Sequence, residues 1–103
     1  MEKLKFYEKN LITEEDTVYR VEYSLLIQPA GQGKCFGVSI QKTDEAGNIE
    51  KNDAEGLCES RKEAEEFLFR LAEGQALPVE LVYLCDDFIS EKESAKSMNE
   101  MVS

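Results

Sequence analysis

The side chains in this sequence that could do chemistry are carboxylates and thiols. Adjacent acids stand at Asp86-Asp87, an acidic triplet at Glu14-Glu15-Asp16, and a mixed stretch at Asp44-Glu45-Ala46-Gly47-Asn48. Carboxylates act as general acid and base, or hold a divalent cation, when they converge on one point. Neighbours on a helix point about 100° apart, so Asp86 and Asp87 do not converge unaided. The other two stretches lack the alternating ligands and distal bidentate acid of a calcium loop, and read as turns or solvated faces. Gly31-Gln32-Gly33-Lys34 has the glycines of a phosphate loop without the GxxxxGK(S/T) pattern. It also leads into an expected strand, so no helix N-terminus would face a phosphate, and it reads as a hairpin loop. The chain contains no His, which excludes an imidazole triad, a His-ligated metal and a haem histidine. The expectation is a protein that is not an enzyme and that uses no cofactor and no metal.

Three cysteines, Cys35, Cys58 and Cys85, are spread through the chain without a CxxC. They read as reduced, separately packed thiols in a cytoplasm. Asp86 and Asp87 beside Cys85 disfavour its thiolate. No apolar run approaches the length needed to cross a bilayer, and the charged first residues do not resemble a signal peptide.

The elements that position these groups follow from periodicity. At 103 residues the chain suits one domain with a single core. Residues 17–28 alternate: Tyr19, Val21, Tyr23, Leu25 and Ile27 form a dry face, and Arg20, Glu22, Ser24 and Gln28 a wet one. Pro29 to Gly33 break the chain into a loop, and Phe36, Val38 and Ile40 mark a second strand over about 34–42. Thr43 to Asn48 form another turn, with Gly47 or Asn48 suited to a left-handed conformation. A short strand follows from Ile49, weakened by Asn52, Asp53 and Gly56, and residues 2–12 supply a further strand with Leu4 and Phe6 on one face.

At Ser60 the period changes. Ser60 and Glu63 fit a capping box, and Ala64, Phe67, Leu68, Leu71 and Ala72 fall on one helical face. Gly74 ends that helix, and Pro78 suits the first position of another, whose apolar face is Leu81, Leu84, Cys85, Phe88 and Ile89. The expected fold class is therefore α+β: an antiparallel three- to four-stranded β-meander with two C-terminal helices packed on one face. Residues 1–90 form the single domain, and 91–103 a polar tail or helical extension.

Twenty-two acids against twelve bases give a net charge of −10, which excludes direct nucleic-acid binding at whole-chain level. The charge is uneven, with six acids and one base over 43–59 and no base over 75–90. The apolar residues are also in excess. Val79, Val82 and Tyr83 lie off the core face of the second helix, and Phe69 lies off the core face of the first. A helix apolar nearly all round is covered on both sides. Three coverings are open: the tail, through Met98, Met101 and Val102; a protein partner, most simply a second copy in a homodimer; or a small molecule in a groove.

The Phe36-Gly37-Val38-Ser39-Ile40 strand, the Ser60-Arg61-Lys62-Glu63 helix start and the closing Leu77-Pro78-Val79-Glu80-Leu81 to Asp87-Phe88-Ile89 segment together resemble a family of small bacterial proteins. That family, found in Clostridia-type Firmicutes, is classed as a domain of unknown function. This chain carries Leu81-Val82-Tyr83 where the family pattern favours a more polar stretch. The resemblance implies an intracellular bacterial protein and brings no activity and no site residues. The functional expectation is thus a small cytoplasmic protein-interaction or regulatory module that contacts a protein, itself included, through Phe69, Val79, Val82 and Tyr83. The alternatives are an acidic decoy for a basic nucleic-acid-binding protein and a small-ligand sensor.

Overall fold

The computed structural model describes residues 1–90. Four strands, β1 (Glu2–Ile12), β2 (Val18–Ala30), β3 (Gly33–Thr43) and β4 (Ile49–Cys58), pair antiparallel in the order β1-β2-β3-β4. The meander carries α1 (Arg61–Glu73), a single 3-10 turn (Pro78–Glu80) and a second helix, α2, over residues 81–90. Met98, Met101 and Val102, expected as one possible cover, lie outside the described residues. No helix among the described residues is long and apolar enough to cross a membrane.

The dry face expected of β2 is the core face. Val21, Tyr23, Leu25 and Ile27 are buried there with Phe36, Val38 and Ile40 of β3. Pro29 belongs to β2 rather than to the loop, paired with Lys34. Proline is tolerated at that point because β1 ends its pairing opposite Ile27, leaving one side of β2 without a neighbour. Gly47 takes a positive φ of 88° in the turn between β3 and β4, as expected.

Two register shifts depart from simple alternation. β1 carries an extra residue between Lys5 and Tyr7, so Tyr7 lies opposite Tyr23 while Leu4 lies opposite Leu25. The core-facing partner of Leu4 is therefore Tyr7, and Phe6 is the inserted residue, although both rings pack against the core. In β4, Cys58 pairs with Phe36 and Ala54 with Val38, so Glu55, Gly56 and Leu57 stand opposite Gly37 alone. Ile49 onward is a ten-residue strand, longer than expected: Asn52 and Asp53 pair in register with Ile40 and Ser39, and the bulge absorbs Gly56.

That bulge also corrects the expected wet face. Ser24 and Leu26 point away from the helices yet are only 3% and 2% exposed. The β4 backbone crosses close over this outer face: a Cβ on Gly37, the partner of Leu26, would lie 2.0 Å from the Ala54 carbonyl oxygen. Further along, Arg20 pairs with Glu22 at 3.2 Å and Glu8 at 3.7 Å, and there the outer face is polar as expected.

Ser60 caps α1, its hydroxyl accepting the Glu63 N–H at 3.2 Å. At the other end Gly74 holds the cap position, but the left-handed residue is Gln75, with φ 52°. Gln75 N–H donates to Ala72 and Ala76 N–H to Leu71, the paired bonds of a Schellman ending. Tyr23 fastens this ending to the sheet, its buried hydroxyl donating to the Ala76 carbonyl at 2.8 Å. Burial and, secondarily, the nearby Glu80 push the Tyr23 phenol up to about 12. Asn52 of β4 donates to the Pro78 carbonyl at 3.2 Å, fixing the 3-10 turn over the β3–β4 edge of the sheet. Pro78 thus opens that turn, and α2 starts after it.

Candidate functional site

Two of the three acidic stretches singled out in the sequence lie in turns between strands. Asp44 accepts both the backbone and side-chain N–H of Asn48, at 2.8 and 2.9 Å, closing the β3–β4 turn. These bonds hold the Asp44 carboxyl below its ordinary range. Asp16 has a positive φ of 61° in the β1–β2 turn, whose Thr13 hydroxyl accepts the Thr17 N–H. The Gly31–Lys34 stretch is the tight connection between β2 and β3. Among the described residues no three acids, cysteines or histidines stand close enough to hold a metal ion.

Cys58 and Cys85 are buried, Cys35 is half-buried, and none of the three is in a disulfide. Burial, reinforced by Asp86, pushes the Cys85 thiol up to about 11, away from a nucleophilic thiolate. Ser39 donates to Asp53 across the β3–β4 pair on the outer face, and Ser39 is buried there.

The helical layer presents apolar surface to solvent. Val79 is 63% exposed, Val82 58% and Tyr83 70%, all within five residues, and Ile89 joins them at 40%. Ile89 was expected on the buried face of α2. At about 100° per residue it lies about 80° from Leu81, and Phe88, nearer the centre, takes the core position. Phe88 stacks on Phe67 of α1, with centroids 4.6 Å apart. This contact places α1 on one flank of α2 and leaves Val82 and Ile89 on the other.

Phe69 does not join that group. It is 49% exposed, but about 200° round α1 from Phe67. Its ring meets Tyr7 of β1 edge-on, with centroids 6.1 Å apart. The four residues singled out in the sequence therefore form two surfaces: Val79, Val82 and Tyr83 on the 3-10 turn and the start of α2, and Phe69 beside β1. Periodicity within each helix could not reveal this, because it depends on which flank of α1 receives α2.

A second feature had no sequence signal. Between α1 and α2 lies a cleft of about 260 Å³, floored by Phe67, Leu71, Leu84 and Phe88 and rimmed by Arg70, Glu80 and Asp87. Its rim comes from three separate segments. The Glu80 carboxylate is positioned by the Leu77 N–H, which donates to it at 3.1 Å.

Comparison with known proteins adds a family and no activity. No curated protein and no solved structure matches the chain. The family resemblance read from the strand, the helix start and the closing segment is confirmed over the whole described length. Residues 1–91 match the family of unknown function DUF6514, and the chain belongs to that family.

Proposed function

We propose that the chain is a non-enzymatic protein-interaction module that self-associates through the outer flank of α2. The observation that carries this reading is the exposure of Val79, Val82 and Tyr83 within one short stretch, extended by Ile89. A helix flank of this kind is costly to leave in water, and a second α2 packed against it would bury all four side chains. Aromatic-centred patches of this sort supply most of the energy of small interfaces. The rim is acidic, with Glu80, Asp86 and Asp87 and no base over 75–90. Two copies therefore repel at the rim, and salt screens that repulsion.

Light scattering over a concentration series tests this directly. The expected result is a particle of twice the 11.7 kDa chain mass that tightens as salt rises, and a monomer for Tyr83→Glu at the same concentrations. A wild-type monomer throughout, or a Tyr83→Glu chain that dimerises equally, sinks the reading. The acidic rim favours a second reading, docking of a basic protein such as a nucleic-acid-binding one. That interaction would weaken with salt, the opposite trend.

A further inference from the structure

We propose that the cleft between α1 and α2 binds a small organic cation, a primary ammonium on an apolar body. The floor is hydrocarbon, contributed by Phe67 and Leu71 of α1 and by Leu84 and Phe88 of α2. It is also built in advance. The stacked Phe67 and Phe88 rings hold the two helices together, and the Tyr23–Ala76 bond anchors the end of α1 beside the cleft. A pre-formed apolar pocket with a few convergent polar groups is the general form of a small-molecule site.

Size and charge narrow the ligand. At about 260 Å³ the cleft lies just below the range of drug-sized pockets, which admits a small amine and excludes a nucleotide. Two carboxylates, Glu80 and Asp87, face one guanidinium, Arg70, so the rim is net negative whatever Arg70 itself contacts. An anion is disfavoured there, and a neutral molecule gains only the floor. An ammonium gains the floor and donates to carboxylate oxygens at the rim. The same group is supplied by a free amine or by the N-terminus of a peptide beginning with an apolar residue. The cleft lies on the flank of α2 opposite Val82 and Ile89, and of the self-association residues on α2 only Tyr83, one turn from Asp87, stands near its rim.

Calorimetric titration of the full chain with phenethylamine, 2-phenylethanol and phenylacetate isolates the charge while holding the apolar body constant. The amine is expected to saturate in the millimolar range or below, about fivefold tighter than the alcohol, with phenylacetate weakest. Asp87→Asn should bring the amine to the level of the alcohol, and Leu84→Trp should fill the cleft and abolish both. Val82→Ser, on the far flank of α2, should leave binding unchanged even where it weakens the dimer. Phe-Ala-amide against its N-acetyl form separates the sources: tighter binding than phenethylamine, lost on acetylation, assigns the cleft to a chain N-terminus. The proposal is overturned by equal affinity for amine and alcohol, or by binding that survives Asp87→Asn undiminished. No saturation by about 10 mM, weaker than a ligand of this size should show, also overturns it. So does an affinity that varies with protein concentration, which would give the cleft to a second copy.

Discussion

The two ends of the sheet carry similar apolar residues and meet different fates. Toward the β2–β3 hairpin, Leu25, Ile27, Phe36 and Val38 are buried beneath the helices. Toward the opposite end, Leu11 and Tyr19 on the same face are only half-buried, with the Lys42 ammonium 4.3 Å from the Tyr19 ring centroid, whereas Ile12, Val18 and Ile49 there are exposed on the outer face. The cause is length. β2 has thirteen residues and spans about 43 Å, whereas α1, also thirteen, spans about 20 Å. α1 starts beside the Cys58–Phe36 pair and ends over Tyr23, and Phe67 against Phe88 shows that α2 returns alongside it. The helices therefore roof one half of the sheet. Hydropathy alone does not decide burial here; the reach of the roof does.

Substitutions in the two halves should separate this account from a uniform one. The largest effect is expected at Gly37, in the roofed half, where Gly37→Ala places a methyl 2.0 Å from the Ala54 carbonyl oxygen. Backbone, not a flexible side chain, must move, and a loss of about 3 kcal/mol or more is expected in urea denaturation. Next is a matched pair of truncations. Leu68→Ala, fully beneath the roof, should cost about 2–5 kcal/mol, whereas Ile49→Ala, exposed on the outer face, should stay within about 0.5 kcal/mol. Equal costs would mean that the outer face is covered in solution.

A smaller effect than that of Leu68→Ala lies at the boundary. Tyr23→Phe removes the bond to Ala76 and leaves that carbonyl without its partner, for about 1–2 kcal/mol at neutral pH. It also changes the alkaline limb. With the folded phenol near 12 against 10.0 unfolded, the unfolded chain alone releases the proton between those values. Stability from this group is therefore complete below pH 10 and is lost as pH rises toward 12. Melting curves over pH 9–12 should fall less steeply for Tyr23→Phe than for the wild type. Parallel curves would show that the phenol is not buried as described.

Local regularities were legible in the sequence because neighbouring residues alone determine them. The alternation of Val21, Tyr23, Leu25 and Ile27 defined the core face of β2. The spacing of Ala64, Phe67, Leu68, Leu71 and Ala72 defined that of α1, and Ser60 with Glu63 marked its start. The antiparallel meander with two helices on one face follows from those periods and the short connections between them.

Other features needed contacts between distant segments. The inserted Phe6 and the Glu55–Leu57 bulge shift which residues face the core, and a bulge is defined only by the strand opposite. The left-handed position after α1 fell on Gln75 beside an available Gly74 because the Schellman bonds and the Tyr23 anchor fix where the chain turns. The separation of Phe69 from Val82 and Tyr83 depends on the flank of α1 against which α2 packs. So does the meeting of Arg70, Glu80 and Asp87 around one cleft. Periodicity is a property of one element, whereas a surface or a cleft is a property of how two elements pack, and the sequence encodes that packing only through the whole fold.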